Sequence, residues 1–185
     1  MNERASEGAP EGSWSVPVSV RDVPLSGRRF ALVADAATRA AIAKSAALHA
    51  LPRLEATFEV TRLDSGGLHV VGRVAATVGQ LCVVSLDPIE NVVDGPVDLV
   101  FVPGAAAVGA APGSDALSVT DEPPEPLRGD TVDLGAIATE FLILGIDLYP
   151  RKPEAVFQAP VIEDETEHPF AALAALRKGQ GGREE

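Results

Sequence analysis

Cysteine is nearly absent from this chain: Cys82 is the only one in 185 residues, which excludes an intramolecular disulfide and a thiolate metal cluster. No apolar run approaches the roughly 20 residues that a membrane-spanning helix needs. Met1 to Ser13 lacks the basic start and apolar stretch of a secretory signal, so a cytoplasmic protein is expected. His49, His69 and His168 stand far apart without an HExxH pattern, and no metal site is expected. Gly66-Gly67 and the Gly104–Gly113 stretch lack the lysine of a phosphate-binding loop, and no G-x-S-x-G elbow anchors a serine hydrolase. The motifs of common enzymes are missing, so no catalytic residue and no cofactor is expected.

Basic charge is missing from one region and present in another. Val74–Leu127 contains no Lys or Arg but eight acids, whereas Val20–Arg73 holds eight bases and five acids. The whole chain carries a formal net charge of −12. A nucleic-acid binder gains its affinity largely by neutralising phosphates, and only the early third could do that. An acidic surface suits a basic protein partner, because complementary potentials speed encounter; it also simply keeps a protein soluble.

What is present is a globular pattern. Hydrophobic residues make up 46 % and charged ones 23 %. Trp14–Val20 alternates like a half-buried strand, with Pro17 pointing to a sheet edge. Phe30–Val33 is a second short strand. Asp35 caps a helix over Ala36–His49, in which Ala41, Ile42, Ser45 and Leu48 form a modest stripe before Pro52 closes the segment. Leu54, Ala56, Phe58 and Val60 alternate with polar neighbours. Asp64-Ser65-Gly66-Gly67 makes a hairpin turn into Leu68–Val78. Gln80–Leu86 reads as another strand carrying Cys82, which the apolar run around it marks as a small buried residue rather than a nucleophile. Asp87-Pro88 turns the chain into a strand over Ile89–Val93 and Val97–Val102, broken or bulged at Gly95-Pro96. Residues 103–129, rich in Gly, Ala and Pro, read as a mobile inserted loop. Leu134, Ile137, Ala138, Phe141 and Gly145 then mark a helix over Leu134–Ile146, capped by Asp133 or Thr131. An acidic linker and a short helix over Ala171–Lys178 close the chain.

Two groups of residues are candidates for RNA or partner contact. Arg28 and Arg29, with Arg39, Lys44 and Arg53 nearby in sequence, could form a phosphate-contacting patch or an ordinary solvated basic surface. Tyr149, Arg151 and Lys152 lie in a stretch whose prolines fix an extended path. There the ring can stack or pack, and the cations can meet anions.

Three blocks resemble one known family. Gln80-Leu81-Cys82-Val83-Val84-Ser85-Leu86-Asp87-Pro88 is similar to a signature of the YceD family, the large ribosomal RNA subunit accumulation proteins, in its alphaproteobacterial form. Asp133-Leu134-Gly135, Glu140–Leu144 and Asp147-Leu148-Tyr149-Pro150-Arg151-Lys152-Pro153 resemble a second block. His168-Pro169-Phe170-Ala171-Ala172-Leu173 with Arg177-Lys178 resembles the family's tail. The likeness spans about residues 14 to 178. Leu148 and Glu154 depart from the proline and glycine of the pattern. The paired cysteines of other branches are absent, so a metal site does not carry over. The resemblance implies a bacterial cytoplasmic protein needed for large-subunit ribosomal RNA to accumulate, encoded near a ribosomal protein gene, with no established catalytic residues.

The expected fold is a single α+β domain over residues 14–157: an antiparallel sheet, open or partly closed like a barrel, with two main helices and a short C-terminal helix. Residues 1–13 are expected to be disordered, and 158–185 to hold the acidic linker, that helix and a disordered end. The expected function is a non-enzymatic ribosome-biogenesis factor that binds pre-ribosomal large-subunit RNA, a basic large-subunit ribosomal protein, or both, with no membrane or DNA partner. Its alternatives are a small-ligand-binding protein or enzyme using a pocket in the sheet, and a dimer formed through an exposed strand edge.

Overall fold

Alternation in the middle of the chain builds the structure, a computed structural model that describes residues 14–103, 124–127 and 129–157. β1 (Pro17–Ser19) leads through a short 3-10 turn to β2 (Arg28–Val33), α1 (Ala36–Ser45), β3 (Ala50–Arg62), β4 (Leu68–Leu81) and β5 (Pro88–Pro103). β6 (Glu125–Leu127), β7 (Thr131–Asp133) and α2 (Leu134–Leu144) follow. The order in the main sheet is β2-β3-β4-β5-β6, and β1 pairs with β7 in a second, two-stranded sheet. The described residues up to Ala155 form one compact unit, and Val156 and Phe157 fall outside it.

β2 to β5 pair antiparallel, as the meander pattern requires. On β3, Leu54, Ala56, Phe58 and Val60 are buried, and on β4 Leu68, Val70, Val74, Ala76 and Val78 are buried. Gly72 stands in register with Phe58. A Cβ there would lie 2.6 Å from the Phe58 ring and closer still to the Thr57 carbonyl oxygen, so the position has no room for a side chain. The other face is wet and paired across strands: Arg29 with Glu59 at 3.3 Å, His69 with Asp98 at 2.7 Å, and Arg73 with Asp94 through two contacts.

α2 covers the apolar face through Leu134, Ile137, Ala138 and Leu142. Burying each of the three larger side chains contributes about 1.5–3 kcal/mol. The Asp133 carboxylate caps this helix by accepting from the Gly135 and Ala136 N–H groups, and it also accepts from Val16 N–H and the Ser15 hydroxyl. One side chain thus ties the N-terminal strand to the helix start. Gly135 lets the two approach, since a Cβ there would sit 2.5 Å from the Trp14 carbonyl oxygen.

The α+β class and the caps at Asp35 and Asp133 match the sequence reading. Several expectations need correction. The sheet is mixed, because β6 runs parallel to β5, and the described strands form an open sheet rather than a barrel. Residues 125–127, assigned to the inserted loop, form that strand and bury Leu127; residues 104–123 lie outside the described set. β5 runs through Gly95-Pro96 without a register shift, because a proline is tolerated where a strand has a neighbour on one side only. The strand expected over Gln80–Leu86 is instead the end of β4 and a turn. α1 stops at Ser45, where Ala46 and Ala47 turn the chain. Residues 1–13 and the C-terminal helix expected at Ala171–Lys178 lie outside the described residues.

Candidate functional site

The turn after β4 is where two distant parts of the sequence meet. Cys82 N–H donates to the Asp87 carbonyl (2.8 Å) and Leu86 N–H to the Cys82 carbonyl (2.9 Å), closing a tight loop. Val83 N–H then donates to the Pro150 carbonyl (2.9 Å), joining that loop to the segment after α2. Gln80, buried at the end of β4, donates from Nε2 to the Asp147 carbonyl (2.7 Å) and accepts from Asn91 Nδ2 (2.9 Å). Lys152 Nζ reaches Asp87 at 3.3 Å, and Ser85 Oγ donates to the same carboxylate. Two loops with no shared strand are joined by these polar contacts.

Cys82 sits at the centre of this knuckle, completely buried. Its sulfur accepts from the Lys152 and Ser85 N–H groups, each at 3.4 Å. Burial alone would raise the thiol, but the Lys152 and Ser85 hydrogen bonds outweigh it and push the pKa down to about 6. An enclosed sulfur of this kind organises two loops; it does not face solvent as a nucleophile would. Asp87 is held below the usual carboxylate range by the Ser85 hydroxyl and by Lys152.

The outside of the knuckle is apolar and strained. Leu86 is 71 % exposed and has φ of 61°, a left-handed conformation that costs a non-glycine residue roughly 1 kcal/mol or more. Leu81 and Val83 before it in the chain, and Leu148 and Tyr149 on the segment joined to this loop, are exposed as well. Leu81, Val83, Leu148 and the buried Pro150 line one open groove with Gln80, Leu48 and His49. A second groove, lined by Arg39, Lys44 and Pro52, shares Leu48 and His49 with the first. The flank of α1 therefore runs directly into the knuckle.

The eight basic and aromatic candidates consequently divide. Arg39 and Lys44 on α1 lead to the loop that bears Tyr149, Arg151 and Lys152, all exposed there. Arg39 also donates to the Ala34 carbonyl. Arg28 and Arg29 lie at the start of β2, Arg28 stacked over Phe30 at 5.0 Å and Arg29 paired with Glu59. Arg53 forms a two-pronged pair with Glu55 and is six residues along β3 from Glu59, about 20 Å away. The five bases of the expected patch thus lie at separate places: Arg39 and Lys44 on α1, Arg28 and Arg29 at the start of β2, and Arg53 near the start of β3. Sequence reasoning missed Gln80, Asn91, Ser85 and Asp87 as the joints of the knuckle; the Gln80–Pro88 block was visible, but not what it touches.

Among the described residues no cluster of three or more His, Cys, Asp or Glu could hold a metal ion, and no helix is long and apolar enough to cross a membrane. A family model described as large ribosomal RNA subunit accumulation protein YceD matches residues 70–177, which includes both halves of the knuckle. No curated protein and no solved structure matches the chain.

Proposed function

Because the chain belongs to the YceD family of large ribosomal RNA subunit accumulation proteins, we propose that it is a non-enzymatic factor that binds the assembling large subunit, touching pre-ribosomal RNA along α1 and the knuckle. One observation carries this reading: the groove beside Arg39 and Lys44 continues through His49 to the groove of Leu148 and Pro150. Cations on α1 are suited to phosphate oxygens. Tyr149, 73 % exposed, offers a face for an unpaired base, and such stacking is worth about 1–3 kcal/mol per base. Arg151 and Lys152 extend the same strip. The inner face of the sheet is filled, with Phe58, Val74 and Val97 of the strands and Leu142 of α2 all buried, so a ligand cavity there gains no support. The acidic remainder of the surface is left for a basic large-subunit protein in the cytoplasm. Crosslinking in cells tests the RNA contact. Wild-type protein should recover large-subunit ribosomal RNA fragments, and Arg39→Ala/Lys44→Ala/Arg151→Ala should recover several-fold fewer. In vitro the triple variant should flatten the salt dependence of RNA affinity by about one unit of slope per lost phosphate contact. Equal recovery and an unchanged slope would overturn the assignment.

A further inference from the structure

β5 is sixteen residues long and paired unequally on its two sides. β4 pairs with it from Pro88 to Phe101, whereas β6 covers only Phe101–Pro103. From Pro88 to Val100 the second side of β5 has no strand beside it among the described residues. That stretch is roughly 40 Å of backbone, long enough to accept a strand of a dozen residues. β6 shows that the lane accepts a strand, since it already fills one end.

The side chains of that edge have one sign. The exposed row on β5 is Glu90, Val92, Asp94 and Asp98, and no Lys or Arg occurs anywhere in Val74–Leu127. From β4, Arg73 faces Asp94 and His69 faces Asp98, so the row stays acidic by about two charges. Asp87 at its beginning, bridged to Lys152, and Glu125 on β6 at its end add acids. Val92, 78 % exposed, places an apolar side chain among them. A second copy of this chain pairing edge to edge would set acids against acids, which is unfavourable across strands. Nucleic acid would meet the same repulsion. A basic segment would meet attraction.

We propose that the side of β5 that no described strand covers, from Pro88 to Val100, is a docking edge for a basic, extended polypeptide segment, which pairs along β5 as a strand and sets its Lys or Arg side chains against Glu90, Asp94 and Asp98. It rests on the reading of the chain as an assembly factor and names the chemistry of its protein partner. Main-chain hydrogen bonds supply affinity in this mode, and the alternating side chains supply selectivity. Pro96 withholds one donor, and the acids deter self-pairing while leaving a cationic strand welcome.

The test uses the full chain and a labelled peptide of alternating Val and Lys, about twelve residues long to match the edge. Binding should be salt-sensitive, and the amides of Ile89–Val100 should gain protection from hydrogen exchange when it binds. Methylating alternate peptide nitrogens keeps the charge but removes donors, and should weaken binding by about tenfold or more. Glu90→Lys/Asp98→Lys should weaken it comparably. No binding, equal binding by the methylated peptide, protection confined to Val83–Leu86, or a wild-type dimer through this edge would each overturn the proposal. Its failure leaves the rRNA crosslinks at α1 and the knuckle intact, whereas failure of the RNA reading removes those crosslinks and leaves peptide binding unchanged.

Discussion

The sheet and the knuckle at its end hold together by different means. Across β3 and β4 the buried residues from Leu54 to Val78 are apolar, and removal of that surface from water provides the stability. At the knuckle the binding contacts are Gln80 to Asp147 and Asn91, Val83 to Pro150, and the Cys82 sulfur to two N–H groups. The apolar side chains there, Leu86, Leu148 and Tyr149, point outward. Burial makes a region stable in any arrangement that excludes water, whereas hydrogen bonds specify one arrangement and contribute less energy net. The end of the molecule that presents apolar and aromatic groups is therefore fixed in shape by its polar ones.

The most forceful way to break this contrast is at Phe58, fully buried over Gly72. Phe58→Ala should cost about 3–5 kcal/mol of global stability, read as a fall in the urea midpoint without a change confined to the knuckle. A cost under about 1 kcal/mol would mean that the sheet does not depend on this packing. Gln80→Leu sharpens the comparison, since it keeps size but leaves the Asp147 carbonyl and the Asn91 amide without their partner. The expected loss is about 1–3 kcal/mol. It should be accompanied by faster amide exchange at Val83 and Lys152, while Val70 and Val74 exchange as in the parent. Unchanged exchange at Val83 would show that the knuckle does not need the Gln80 clamp.

The same contrast explains what could be read from the sequence. The sheet was legible because its signal is periodic: Leu54, Ala56, Phe58 and Val60 repeat every second residue, and the Gly66-Gly67 turn and the Asp35 and Asp133 caps follow from local chemistry. The knuckle was not, because Val83, Val84 and Leu86 have the composition of a strand, while Val83 N–H donates to Pro150, more than sixty residues away, and Leu86 N–H turns back to Cys82. β6 was hidden for a related reason: Pro126 and its acidic neighbours look like loop, yet burial of Leu127 beside β5 decides the matter. The site divided likewise. Charge marked Arg39, Lys44, Arg151 and Lys152 and the ring marked Tyr149, but only the structure shows that Arg29 has Glu59 as partner across β2 and β3, and Arg53 has Glu55 two residues along its own strand.

Cys82 carries the smallest effect near pH 6 and the one with a pH signature. At pH 6 Cys82→Ala should cost less than Gln80→Leu, because a thiol is a weak acceptor. The folded-state pKa, lowered to about 6 from the ordinary thiol value of 9.0 by the Lys152 and Ser85 N–H groups, means that the unfolded chain binds more protons between those two values. The stability that the sulfur supplies is thus lost as pH falls through 6 and rises toward pH 9. The gap in urea midpoint between parent and variant should widen steadily from pH 6 to pH 8.5 and stay constant below pH 5.5. A gap independent of pH would show that the sulfur stays protonated, with the two N–H donors positioned by the Val83–Pro150 bond and the Gln80 clamp rather than by charge on the sulfur.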